Sequence, residues 1–212
     1  MKRVKDVKQP SVLVAAASVL TAVGARAQQT STADDIAVFK AVIDQKIRPE
    51  AERFAPKDRP PGVLPLITYD RTLALCGPEG SVIPAMGCLM AEEIPLLDFG
   101  RTIGSATRRE LQQATASRNA KSVPFPSSSL ESIIPMVPDQ RAEVTTREAA
   151  RTRGRVSFAL PAYATNGQAV VYARYICGGL CGISWYFLLE KSASGWRVID
   201  EKVVGVSGPG AL

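Results

Sequence analysis

The chain of 212 residues contains no histidine. This absence excludes Ser-His-Asp and Cys-His catalysis, imidazole metal ligands and the simple protonation switch that histidine provides near neutral pH. An enzyme built from this chain would have to use carboxylates, thiols, lysine or tyrosine, and no spacing of these residues forms a recognisable catalytic constellation. We therefore expect a non-enzymatic protein that uses no cofactor and no metal.

A long apolar run is also missing. The apolar stretch Ser11 to Val23 has 13 residues, fewer than the ~18 needed to span a bilayer. It follows the basic residues Lys2 and Arg3, and Ala25-Arg26-Ala27 then matches the small-x-small pattern cut by signal peptidase. We therefore expect residues 1–27 to be a signal peptide. The mature chain is then expected to have no membrane span and to be located in the periplasm or secreted.

The basic excess of the chain lies mainly in this leader. The sequence has 26 basic and 20 acidic residues, of which residues 1–27 hold five and one, leaving 21 and 19. A net charge of +2 without a stripe of Lys and Arg does not indicate a nucleic-acid partner. Residues 28–212 have the length of one ordinary domain, so we expect a single folded unit.

Four cysteines are present, at Cys76, Cys88, Cys177 and Cys181. In an oxidising compartment cysteines form disulfides more readily than zinc sites, although a four-cysteine zinc site is geometrically open. Three connectivities exist, and we prefer Cys76–Cys88 and Cys177–Cys181. The alternative is a redox-active pair at Cys177 and Cys181. Their C-x-x-x-C spacing across a hairpin disfavours it, because active pairs usually have the spacing C-x-x-C at the start of a helix.

The segment around Cys177 predicts its own strand register. If Gly178 to Leu180 is a three-residue loop, Cys177 faces Cys181 at a Cα separation of ~4.5–5.5 Å, which suits a disulfide. The same register pairs small with large residues on one face, namely Ala173 with Trp185, Val171 with Phe187 and Ala169 with Leu189. It places Tyr172 opposite Tyr186 and Arg174 opposite Ser184 on the other face, which we expect to be wetter.

The fold class follows from two periodicities. An N-terminal helix that packs on a sheet is predicted by apolar residues at helical spacing, namely Ile36, Phe39, Ile43 and Ile47. We expect this helix to kink or end at Arg48-Pro49. Four successive strands are predicted in the last third: Arg155 to Leu160, Gln168 to Cys177, Ile183 to Glu190 and Trp196 to Val204. We therefore expect an α+β fold, with the helix on a mainly antiparallel sheet that ends in a four-strand meander.

Several of these segments resemble a known group of proteins. They are Gly154 to Phe158, Gln168 to Tyr172, Cys177-Gly178-Gly179-Leu180-Cys181-Gly182, Leu188 to Lys191 and Gly195 to Val198. The pattern is similar to a family of exported bacterial α+β proteins of uncharacterised function with a Cys-Gly-x-Leu-Cys-Gly hairpin near the C-terminus. The resemblance implies fold and export and assigns no catalytic residue. The chain departs from the family at Cys76–Cys88 and in residues 138–153, whose composition fits a solvated helix or a mobile excursion.

We expect the mature protein to act through binding, with a protein or small molecule of the cell envelope as partner. The candidate ligand face is the wetter side of the sheet, formed by Tyr172, Arg174 and Tyr186. Concave sheet faces of α+β rolls often hold ligands. Against this ligand face stands the interpretation that we prefer, in which Leu111, Ile133 or Ile134 covers the face as a second core. A further alternative is that Cys177 and Cys181 perform thiol–disulfide exchange.

Overall fold

The computed structural model describes residues 32–53, 65–76, 88–125, 130–137, 152–178 and 181–207. These residues form an α+β fold in which helices pack on a mixed sheet. The helices are α1 (Thr32–Val42), a π-helical turn (Ile43–Ile47), α2 (Arg48–Arg53), a 3₁₀ turn (Ala91–Glu93) and α3 (Ser105–Arg118). The strands are β1 (Ile67–Tyr69), β2 (Met136–Val137), β3 (Arg155–Phe158), β4 (Ala162–Tyr163), β5 (Gln168–Gly178), β6 (Cys181–Ser192) and β7 (Gly195–Ser207).

The seven described strands form one sheet in the order β2-β1-β3-β5-β6-β7, and β4 pairs with β5 beyond the end of β3. β1 pairs in parallel with β2 and β3, whereas all later pairs are antiparallel. The predicted C-terminal meander is therefore confirmed. The addition of β1 and β2 on the far side makes the sheet mixed, because the chain crosses over between β1 and β3.

The predicted register of the long hairpin is confirmed along most of its length. Ala169 pairs with Leu189, Val171 with Phe187, Ala173 with Trp185, Tyr172 with Tyr186 and Arg174 with Ser184. Only the tip differs, because the register shifts after Ile176 and Gly178 pairs with Cys181. One extra residue on β5 is a β-bulge, so Cys177 does not lie directly opposite Cys181 as predicted.

Both faces of the sheet are covered. On the first face, α1 and the π-helical turn bury Phe39, Ile43 and Ile47, as their spacing predicts. Phe39 lies between the rings of Phe125 and Phe158, with centroid distances of 5.1 and 5.3 Å. On the second face, α3 and the segment after Cys88 cover a separate apolar cluster: Tyr69, Leu97, Phe99, Leu111, Tyr172, Tyr186 and Leu188.

The predicted signal peptide and most of residues 138–153 lie outside the described residues. No helix within the described ranges is both long and apolar enough to cross a bilayer.

Candidate functional site

The predicted break at Arg48-Pro49 changes the helix without ending it. Proline has no amide hydrogen, and its ring would clash with the carbonyl four residues earlier, that of Gln45. The backbone responds by widening into the π-helical turn, where the Arg48 N–H donates to the Ile43 carbonyl. Such single-turn π segments are frequent at functional sites. This turn lies against the β6–β7 side of the sheet.

A groove with a volume of about 370 Å³ opens between the π-helical turn with α2 and strands β6 and β7. We call it the helix–strand groove. Its sheet wall contains Ile183, Trp185 and Phe187 from one face of β6, and the rings of Trp185 and Phe187 stack with centroids 5.8 Å apart. The residues that line it are Gln45, Lys46, Ile47, Pro49, Glu50, Arg53, Ile183, Trp185, Phe187, Glu201, Val203 and Val206.

Two valines of β7 make this groove apolar up to its mouth. Val203 is 49% exposed and Val206 is 59% exposed. A single exposed valine is ordinary on a protein surface, but neighbouring exposed apolar residues beside a cavity are typical of binding sites. The exposed valines and the buried indole of Trp185 therefore form one continuous apolar wall.

Charged side chains stand at the rim of the groove. Lys46 Nζ lies 2.7 Å from Glu201 Oε2, and Arg53 Nη1 lies 3.0 Å from Glu50 Oε2. The side chains of Lys46, Glu201 and Arg53 are exposed and that of Glu50 is partly buried, so each pair contributes ~0–1 kcal/mol to stability. Their positions give a ligand with an apolar body a polar rim at which its polar end can remain hydrated.

Gln45 attaches the helical wall to the edge of the sheet. Its Oε1 accepts a hydrogen bond from the Val198 N–H at 3.1 Å, and its Nε2 donates to the Trp196 carbonyl at 3.5 Å. Farther along β7, the Asp200 carboxylate accepts from the Glu201 N–H at 2.8 Å. Side chains therefore satisfy part of the β7 edge, which would otherwise offer backbone groups to another strand.

The predicted disulfides are both present. Cys76 pairs with Cys88 at a Cα separation of 5.0 Å, and Cys177 pairs with Cys181 at 5.2 Å. The four cysteines therefore do not form one four-thiolate site. Cys177 packs partly buried against the first-face core, near the end of the hairpin that also carries Ile183.

We expect the two disulfides to stabilise the fold unequally. In the chain-entropy description, the shorter loop closed by Cys177–Cys181 gives about 2 kcal/mol and the longer one closed by Cys76–Cys88 about 3 kcal/mol. The double replacement Cys177→Ser with Cys181→Ser should lower the free energy of unfolding by the smaller amount and leave the circular dichroism spectrum native. Urea denaturation of this variant and of the corresponding Cys76→Ser with Cys88→Ser variant measures the two losses. An unchanged unfolding free energy would refute a structural role for Cys177–Cys181.

The predicted wetter face is wrong for its two tyrosines. Tyr172 is 2% exposed and Tyr186 is 0% exposed, and their rings meet edge to face at 5.3 Å. Leu111 belongs to the cluster that covers them, as the second-core interpretation predicted, whereas Ile133 and Ile134 lie on the opposite face. The sheet face at the tyrosines is therefore a second core, and only Arg174 remains half-buried at its margin.

The phenol groups of Tyr172 and Tyr186 are held in their neutral form. Burial raises the pKa of Tyr172 to about 12, and its hydroxyl donates to Glu93 Oε1 at 3.3 Å. Burial, together with the Glu93 carboxylate, also raises the pKa of Tyr186. The Tyr186 hydroxyl is buried without a hydrogen-bond partner among the described residues. Neither tyrosine is placed to serve as a base at neutral pH.

No protein-family model matches the chain, and neither a curated protein nor a solved structure matches it significantly. The resemblance to exported proteins with a cysteine hairpin therefore stays a prediction.

The groove itself was not predicted from the sequence. Its walls combine Ile47 with Trp185 and Val203, which are far apart along the chain and share no local pattern. The available signal was the run Lys202-Val203-Val204-Gly205-Val206 near the C-terminus, where the valines exceed what a solvated edge strand needs.

Proposed function

We propose that this chain is a disulfide-stabilised binding protein, exported to the bacterial periplasm and without catalytic activity. Its two disulfides are typical of proteins from oxidising compartments, which supports export. The helix–strand groove is its ligand site. The observation that carries this proposal is the apolar wall of Trp185, Val203 and Val206 inside a cavity with charged residues at its rim.

The groove limits the chemistry of the ligand. Its volume of about 370 Å³ equals that of about twelve liquid waters at ~30 Å³ each, enough for a small aromatic or short acyl body. The rim carries Lys46 and Arg53 beside Glu201 and Glu50, so its formal charges balance. The ligand is therefore a molecule without net charge that offers an apolar part to Trp185 and the valines and polar groups to the rim.

We expect Val203→Arg to weaken binding of the neutral fluorescent probe 1-naphthylamine by about tenfold or more, because a long cation replaces the apolar wall. The measurement is a fluorescence titration of the mature chain. A Trp196→Phe background leaves Trp185 as the only tryptophan, so its emission reports occupation of the groove directly.

The matched control is Val123→Arg, a replacement of another exposed valine that does not line the groove. It should leave the affinity for the probe and the emission change of Trp185 as in the parent protein. Equal affinities of the Val203 variant and the parent, or equal losses in the two valine variants, would refute the groove as the site.

A further inference from the structure

A second cavity lies on the opposite side of α2 from the helix–strand groove. Its volume is about 250 Å³, and Leu66, Ile133, Ile134 and Pro135 form its apolar walls. At ~30 Å³ per liquid water this corresponds to about eight waters. The cavity therefore has room for a ligand with about eight non-hydrogen atoms.

A guanidinium group lines this cavity. The side chain of Arg153 is only 8% exposed, which is unusual for arginine unless the charge is paired. The backbone on both sides of it is fixed, since the Arg153 N–H donates to the Pro65 carbonyl at 3.0 Å and the Arg153 carbonyl accepts from the Tyr175 hydroxyl. The backbone that carries this side chain is therefore fixed just before the start of β3.

The positive charge of Arg153 is only weakly compensated by nearby carboxylates. Among the described residues its one ion pair is with Glu52, at 3.4 Å between Nη1 and Oε1, and the Glu52 side chain is 61% exposed. Arg48 adds a second positive charge to the lining, although it also contacts Asp44 and donates to the Ile133 carbonyl. Asp44 therefore balances Arg48, whereas the buried guanidinium of Arg153 has, among the described residues, only the solvated Glu52 carboxylate as its counter-ion.

We propose that this cavity binds a carboxylate carried on a short apolar group. The carboxylate takes the planar donor edge of Arg153, which matches two oxygens at once. The apolar group fills the space beside Leu66 and Ile134. Glu52 is the internal competitor for the same guanidinium, so it lowers the affinity for the ligand and is displaced toward solvent on binding.

The test is isothermal titration calorimetry of the mature chain with sodium hexanoate, with hexan-1-ol, hexylamine and inorganic phosphate as comparison probes at constant ionic strength. Hexanoate should bind saturably and more tightly than all three. Arg153→Gln should weaken its binding by about tenfold or more. Glu52→Gln should tighten it about two- to fivefold, because it removes the competing charge.

Arg197→Gln is the matched control, since Arg197 is exposed on β7 and lies outside the cavity lining; it should change nothing. The Glu52 variant keeps the test decisive if Arg153→Gln does not fold. Unchanged or weaker binding in the Glu52 variant, or equal binding of hexanol or phosphate, would overturn the proposal.

A peptide carboxyl terminus presents the same chemistry as a free acid. Acetyl-alanyl-valine is therefore titrated alongside hexanoate. Tighter binding of the dipeptide assigns the site to peptide termini, and tighter binding of hexanoate assigns it to small free acids. The neutral probe of the helix–strand groove should bind equally well to the Arg153 and Glu52 variants, so the failure of one site can be told from the failure of the other.

Discussion

Replacement of Asp35 by alanine is expected to lower the free energy of unfolding by about 3–5 kcal/mol, because it leaves the largely buried charge of Arg118 without its counter-ion. Asp35 is buried in the first turn of α1. Its carboxylate takes two donors from Arg118, with contacts of 3.0 to 3.2 Å, and a third from the Tyr163 hydroxyl at 2.7 Å. Urea denaturation of the mature chain measures the loss.

The large expected loss of stability follows from the elements that Asp35, Arg118 and Tyr163 join. Arg118 ends α3, Asp35 lies in the first turn of α1 and Tyr163 lies in β4, so one carboxylate connects the helices of both faces to the sheet. Arg118 also lies over the Tyr163 ring, 5.1 Å from its centroid, and donates to the Pro161 carbonyl. Removing Asp35 therefore loosens three elements together.

Two further variants distinguish a buried network from general loss of charge. Asp44→Ala removes a carboxylate that pairs with Lys40 at an exposed site, and its effect should stay within about 1 kcal/mol. The double variant Asp35→Leu with Arg118→Met replaces the ion pair with apolar groups and should recover much of the loss. An Asp35→Ala effect no larger than that of Asp44→Ala would contradict the proposed importance of the network.

The parts of the fold that sequence reasoning predicted are those set by local periodicity. The spacing of Phe39, Ile43 and Ile47 specifies one buried helix face whatever lies beneath it. The hairpin register was also predictable, because a one-residue slip would break the matching of Ala173 with Trp185 and move every side chain to the other face. Only the bulge next to Cys177 was missed, since the size pattern does not extend to the glycines of the tip.

The segments that cover the second face of the sheet could not be predicted from local periodicity. Alternation along a strand assigns Tyr172 and Tyr186 to a common side, but it does not say which distant segment packs on that side. The cover comes from α3 and the residues around Leu97, whose sequence carries only a weak apolar stripe. Tertiary packing therefore decided between a ligand face and a core.

Both proposed sites depend on α2 for the same physical reason. Pro49 forces the π-helical turn, and the helix that resumes after it carries Glu50 and Arg53 toward one cavity and Glu52 toward the other. A regular α-helix lacks the extra residue of the π-helical turn, so in it these side chains would point in other directions around the helix axis. The proline was visible in the sequence, whereas the two cavities it separates required the positions of β1, β6 and β7.

Replacement of Phe39 by alanine is expected to lower the free energy of unfolding by about 3–5 kcal/mol, since it removes a fully buried ring and leaves a cavity. Phe39 fixes α1 on the sheet through Phe125 and Phe158, so both cavities beside α2 should lose ligand affinity as well. Phe39→Leu keeps much of the volume and should have a clearly smaller effect. Urea denaturation and the two ligand titrations measure this; full affinity in a destabilised Phe39→Ala variant would show that α1 does not position the cavities.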